Sequence, residues 1–160
     1  MRRKEKEITD KVVIEEVLKE NEVGRLATSV NDQPYLVPIN YVYFDEKVFF
    51  HSHKDGTKIR NILTNPRVCF EVDSGEIMKG EKPCDFTWKY TSVIVKGRAD
   101  IIFDPARRLL VLRRLSDKYS PGKGKMLTTE DLMKNPQLVI VEICVDEMTG
   151  KKSPVKQTTD

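Results

Sequence analysis

The chain has 160 residues, 39% of them apolar and 33% charged, with a mean hydropathy of −0.47 and a formal net charge of +3. That length suits one domain with a real core and no disulfide staples, and the composition excludes a collagen-like chain, a mostly disordered one and a bundle of membrane helices. The charge is uneven: between Pro105 and Lys125 seven basic residues (Arg107, Arg108, Arg113, Arg114, Lys118, Lys123, Lys125) stand against one acid, Asp117, which gives that segment +6 and the remainder −3.

Residues 8–21 place Val13, Val17 and Leu18 at helical spacing after Thr9, a hydroxyl N-cap, which predicts a helix. Over 23–30, Leu26, Thr28 and Val30 alternate with Arg25, Ala27 and Ser29, the two-residue period of a strand. Asn31-Asp32-Gln33-Pro34 reads as a turn, and 35–44, rich in aromatic and β-branched residues, as a second strand. Asp45-Glu46 turns the chain into a third strand over 47–53, so these three form an antiparallel meander. Asp55-Gly56-Thr57 then starts a short helix through Lys58, Ile59, Ile62 and Leu63, which Asn65-Pro66 ends. A fourth strand is expected over 67–72, a polar loop over 73–83, and a long fifth strand over 90–102 with Gly97 as a bulge. Asp104-Pro105 opens an amphipathic helix to about residue 118. After a loop over 120–125, Thr128 or Thr129 caps another short helix, and 138–145 is the sixth strand. The pattern predicts a mainly β fold, a six-stranded antiparallel barrel, split or closed, with peripheral helices. One domain over 1–149 is expected, followed by a flexible tail over 150–160. The strand order and the lack of G-x-G-x-x-G argue against a dinucleotide-binding Rossmann fold.

Cys69, Cys84 and Cys144 are too few and too far apart for a disulfide framework or a zinc ribbon, and Cys69 and Cys144 read as small core residues. The charged N-terminus lacks the apolar run of a secretory signal, and no apolar stretch is long enough to span a bilayer. A cytoplasmic protein that binds no membrane is expected.

The richest stretch for chemistry is 51–62. A strand ends in His51, Ser52 and His53, a glycine turns the backbone, and a helix begins at Thr57 and Lys58. Free N–H groups, the positive end of the helix dipole, a hydroxyl and an ammonium collect there, which suits a phosphate monoester. The plain alternative is a capped helix beside a solvated lysine. Arg25, in an otherwise apolar strand, reads either as a further phosphate contact or as the partner of a neighbouring acid. Pro38 marks an edge or an opened strand, where the backbone beside Ile39, Asn40 and Tyr41 could face a flat polar heterocycle. His51 and His53 share a strand face without a third ligand, so no metal site is expected. Trp88, near Phe86 and Tyr90, suits stacking on a planar ligand, a subunit interface or the core. The basic segment lacks interleaved aromatics, so a solvated helix face or a rim attracting anions is favoured over a nucleic-acid site.

Taken in order, Gly24-Arg25-Leu26-Ala27-Thr28, Pro34 to Tyr41, Phe50-His51-Ser52 through Lys58, Asn65 to Phe70, and Cys84 to Arg98 resemble the flavin-binding split-barrel superfamily. More narrowly, they are similar to its pyridoxamine 5′-phosphate oxidase-related branch, which includes the nitroimidazole-resistance proteins. The resemblance covers residues 5–145. It implies a homodimer with FMN at the subunit interface, or the deazaflavin F420 in its place. By the same resemblance, Arg25, Ser52 and Lys58 hold the phosphate with Thr57 close by, and Leu26, Ala27 and Thr28 line the cofactor. Pro38, Ile39, Asn40 and Tyr41 run beside the isoalloxazine, while Trp88, Lys89, Tyr90 and Ser92 reach it from the partner subunit. His51 is the candidate for the flavin or substrate face. The implied activity is an FMN-dependent oxidoreductase, in the reductive direction, on a small planar nitroaromatic or pyridoxal-like molecule. The alternatives are a flavin-binding sensor without catalysis and a basic nucleic-acid-binding barrel. Pyridoxamine-phosphate oxidases proper end in an arginine-rich substrate-binding tail; Ser153 to Asp160 carries no such motif, which argues against vitamin B6 oxidation.

Overall fold

Eight strands form one antiparallel sheet in the computed structural model, which describes residues 3–154. The strands are β1 (Glu7–Ile8), β2 (Val23–Val30), β3 (Gln33–Asn40), β4 (Val42–Phe44), β5 (Lys47–His53), β6 (Arg67–Met78), β7 (Thr87–Ile102) and β8 (Leu138–Lys152). The helices are α1 (Lys11–Glu20), α2 (Thr57–Thr64), α3 (Pro105–Tyr119) and α4 (Thr129–Lys134). Strand order is β3-β2-β6-β7-β8-β5-β4, with β1 added at the far end of β8. The two end strands do not pair, so the sheet curls around one core and stays split between β3 and β4.

Two strands exceed the predicted six. The run 35–44 breaks at Tyr41 into β3 and β4. Ile8, expected in the first helix, instead pairs with Gly150 in β1. The helix starts later and is capped by Asp10 rather than Thr9, the carboxylate accepting from the Val12 N–H at 2.9 Å. Most of the expected loop over 73–83 is also strand. There β6 continues to Met78 and pairs residue by residue with β7 back to Thr87, because backbone pairing needs no apolar side chains. The last strand runs on to Lys152, so residues 150–152, expected in the tail, are sheet. Residues 155–160 of that tail lie outside the described residues. Gly97 sits at a register shift between β7 and β8, as its position predicts.

Alternation decides what is inside. Leu26, Phe50, Phe70, Val72, Val93, Val95, Val141 and Ile143 are fully buried, and Phe70 meets Tyr41 edge-on with ring centroids 4.7 Å apart. Gly24 lies directly against Phe70: a Cβ there would come within 2.1 Å of the ring. A second, smaller core lies outside the barrel, where Val111 and Leu115 of α3 cover Val42, Phe49 and Ile140. Cys69 and Cys144 are only half-buried, not core residues. Cys69 stands in register with Ala27 and Lys96 on the outward face of the sheet.

Overpacking a filled interior costs about 1–3 kcal/mol. Gly24→Ala is therefore expected to lower stability by that amount, read as a reduced urea midpoint. Leu36→Ala, on the exposed side of β3, is expected to leave the midpoint nearly unchanged.

Candidate functional site

The first turn of α2 begins without a side-chain cap, because its N-cap is Gly56. The Gly56 carbonyl accepts from the Ile59 and Arg60 N–H groups at 2.9 and 3.1 Å. The Thr57 and Lys58 N–H groups have no partner among the described residues. Ser52 Oγ and Lys58 Nζ converge on this point, 3.6 and 3.9 Å from where a Cβ on Gly56 would stand. Ser52 is buried, and among the described residues its hydroxyl donates only to the His53 carbonyl next to it, at 3.1 Å. Arg60 adds a second cation at the rim, donating to the Asp55 carbonyl and to Thr57 Oγ1. Unpaired N–H groups, a hydroxyl and an ammonium at a helix start make a ready anion seat. α2 is pinned in place by two amides: Asn61 donates to Thr28 Oγ1 and Asn65 to the Ser29 carbonyl, each at 2.9 Å.

Arg25 does not join this seat within one chain. Its guanidinium bridges Glu71 at 2.9 Å and Asp73, both on β6, and the two carboxylates hold it firmly charged. Burial pushes the Glu71 carboxyl up in spite of the arginine, and the charge of Asp73 adds to this. The acid-partner reading of Arg25 is thus the observed one.

Of the residues expected along the cofactor, Leu26, Ile39 and Tyr41 point into the core. Only their backbone can face a ligand. Thr28 is also buried and is held by Asn61. Ala27, Pro38 and Asn40 remain at the surface, and β3 is an edge strand, as the proline predicts. Tyr41 donates its hydroxyl to the Leu18 carbonyl at 2.6 Å. The Tyr119 hydroxyl accepts from the Tyr41 N–H at 2.8 Å and lies 2.9 and 2.6 Å from the Tyr41 and Glu22 carbonyls, which share its one proton.

His51 lies on the opposite face of β5 from Ser52, and its ring makes no hydrogen bond among the described residues. His51 keeps an exposed edge; partial desolvation first, and the Lys58 charge second, hold its imidazole below the ordinary value of 6.5. His53, by contrast, accepts from the Asp55 N–H at 3.2 Å.

Trp88, Lys89, Tyr90 and Ser92 stand elsewhere, on the β6–β7 hairpin. Trp88 and Tyr90 stack with centroids 4.6 Å apart, Lys89 pairs with Glu76, and Ser153 clasps the backbone of Trp88 and Tyr90. Ser92 is in register with Asp73 and Lys151. None of these neighbours comes from β3, β5 or α2. Ile77, Met78, Phe86 and Trp88 are exposed along this arm.

Five of the seven cations of the basic segment are spent internally. Arg107 pairs with Asp45, Arg108 donates to the Leu138 carbonyl, and Arg113 donates to that of Leu127. Arg114 lies over Phe44. Lys118 donates to the Asn21 carbonyl at 2.6 Å above the Tyr41 ring, and burial lowers it to about 8. The sequence gives no signal for the roles of Asn61, Asn65, Lys118 and Tyr119, whose partners lie 33 to 97 positions away.

A family model described as pyridoxamine 5′-phosphate oxidase matches residues 10–152. An uncharacterised protein of Rhizobium meliloti is 33% identical over 142 residues, spanning 84% of this chain and 87% of that one. A solved FAD-binding protein from Mesorhizobium loti is similar at 28% identity over 91% of this chain and 96% of that one, with a TM-score of 0.64. A 5-nitroimidazole antibiotic resistance protein from Bacteroides thetaiotaomicron shares the fold at 22% identity, 91% and 85% coverage and a TM-score of 0.77. So does an FAD and heme binding protein from Mycobacterium smegmatis, at 15%, 92% and 73%, and 0.82.

Because burial and Lys58 both disfavour the imidazolium, the fold loses the contribution of His51 as pH falls from 6.5 through the lower folded value. Lys58→Met is expected to raise the His51 pKa toward 6.5, followed by proton NMR of the ring. An unmoved titration would mean that the two groups are not coupled.

Proposed function

The chain belongs to the pyridoxamine 5′-phosphate oxidase family, and on that premise we propose that it is an FMN-dependent oxidoreductase, working in the reductive direction on a small planar molecule. The observation that carries the reading is the uncapped start of α2, with Ser52 Oγ and Lys58 Nζ converging on it. These groups fit a phosphate monoester such as the terminal group of FMN. The Thr57 and Lys58 N–H groups would hold the phosphate, with the Ser52 hydroxyl turning to it from the His53 carbonyl and the Lys58 ammonium offsetting part of its charge. Arg25 is engaged through Nη1 with Glu71 and Asp73, stays half-exposed and stands in register with Pro38, so its remaining N–H groups are free for the cofactor. From there the ring system would pass along Ala27 of β2 and the open edge of β3 at Pro38–Asn40, where exposed backbone can meet its polar rim. Bound FMN supplies the hydride and electron transfer; the chain binds it, orients it and sets what reaches it.

The site is incomplete in one chain. The anchor is on α2, and the Trp88–Tyr90 stack is on a hairpin arm with exposed apolar residues. A homodimer in which each arm crosses to the other copy's site would bring Trp88, Lys89, Tyr90 and Ser92 to the flavin and cover Ile77, Met78 and Phe86. The FAD-binding relative from Mesorhizobium loti makes FAD the cofactor to compare with FMN.

The purified protein is expected to be yellow with FMN absorbance and to sediment as a dimer. A charge-assisted contact contributes about 1.5–3 kcal/mol, so Lys58→Ala should weaken FMN binding by that amount in an equilibrium titration. Protein that refuses both FMN and FAD would end the proposal. Retained flavin without NAD(P)H-dependent turnover of any acceptor would point to a sensor instead.

A further inference from the structure

Arg67, the first residue of β6, stands directly opposite Arg98 of β7. Backbone bonds fix the two positions: the Arg67 N–H donates to Asn65 Oδ1 at 3.2 Å, and the Ala99 N–H to the Pro66 carbonyl at 2.8 Å. Alternation with the buried Val68 and Gly97 turns both arginines to the outward face of the sheet, where both are exposed. Neither guanidinium has a hydrogen-bond or ion-pair partner among the described residues. Like charges directly opposite each other on a ladder repel and lower stability.

The pair lines a recess of about 630 Å³ on that face, which Ala27, Pro34 and Cys69 also wall. A recess of this size admits a small organic molecule. The remaining charges of the lining are Lys96, Asp146 and Glu147. Lys96 and Glu147 pair with each other at 2.9 Å. That leaves two guanidinia against one carboxylate, Asp146, which bridges neither of them. The planar fork of an arginine matches the oxygens of a carboxylate or phosphate. The recess is separate from the anion seat at the start of α2: the eight residues of that helix, a rise of about 12 Å, lie between the two.

We propose that Arg67 and Arg98 form a second anion site, which clamps the carboxylate or phosphate of a small molecule lying against Ala27 and Pro34. An oxyanion between the two forks replaces a repulsion with charge-assisted bonds to both. On the flavin reading the recess adjoins the ring at Ala27; its occupation does not depend on that reading.

The test uses benzoate, phenyl phosphate and benzyl alcohol, which share a ring and carry a carboxylate, a phosphate and no charge. Each is titrated into the protein as purified, and contact is read from the Nε–Hε resonances of Arg67 and Arg98, assigned with Arg67→Gln and Arg98→Gln. One or both anions are expected to shift both resonances, and the alcohol neither; the anion that does so identifies the acid group. Affinity is read by calorimetry on Lys58→Ala, in which the seat at α2 is weakened. Adding Arg67→Gln and Arg98→Gln to that protein should weaken anion binding on the order of tenfold or more. Resonances that neither anion moves, an equal response to the alcohol, or undiminished anion binding without the two arginines would each overturn the proposal. The resonances of the unaltered protein decide the matter if the multiple variant does not fold. Flavin absorbance of the same samples separates the two readings: colourless protein that binds an anion at these arginines ends the flavin reading alone, and yellow protein that fails these criteria ends this one alone.

Discussion

Where the barrel splits, the backbone of Tyr41 has no strand to pair with. A single hydroxyl at the end of α3, that of Tyr119, takes over its N–H and its carbonyl and reaches the Glu22 carbonyl besides. An unpaired buried amide costs as much as a lost hydrogen bond, so this contact lets the sheet stop where it does. Much else follows from it. With Tyr119 hooked to the split, α3 lies across β5, Val111 and Leu115 cover Phe49, and a cavity is left between the helix and His51. The tyrosine is at once the last residue of a helix and the missing partner of a strand.

The same contact explains the fate of the basic segment. Seven cations on and after one helix suggest a surface aimed at polyanions. With α3 fixed against the barrel, five of them reach aromatic rings or backbone carbonyls instead: Arg107, Arg108, Arg113, Arg114 and Lys118. They hold the helix down. The anion seat is built at α2, from two backbone N–H groups and one lysine, outside that segment.

Features set by local pattern were legible in the sequence. The glycine turn into α2, the edge proline of β3, the Gly97 irregularity and the capping at Thr128 all follow from residues within a few positions of one another. What was not legible depends on distant partners. The polar stretch after Val72 resembles a loop because its side chains are hydrophilic, yet its backbone is satisfied by β7, a second run of polar and aromatic residues. The pairing of Arg25 with Glu71 and Asp73 comes from the register between β2 and β6. The break at Tyr41 is invisible without α3, since 35–44 is a continuous β-forming run whose interruption is made by a hydroxyl 78 positions away. Within the candidate site, Ser52 and Lys58 could be found because they flank one turn. Leu26, Ile39 and Tyr41 fall in motifs whose resemblance implies a place beside the cofactor, yet their side chains belong to the core.

The two prolines of β3 have a consequence of their own. Pro34 and Pro38 remove two N–H donors from the eight-residue strand that borders the open side of the sheet. A border short of donors is a poor template for a further strand. Growth of the sheet from molecule to molecule, the route to fibrils, is therefore discouraged on that side.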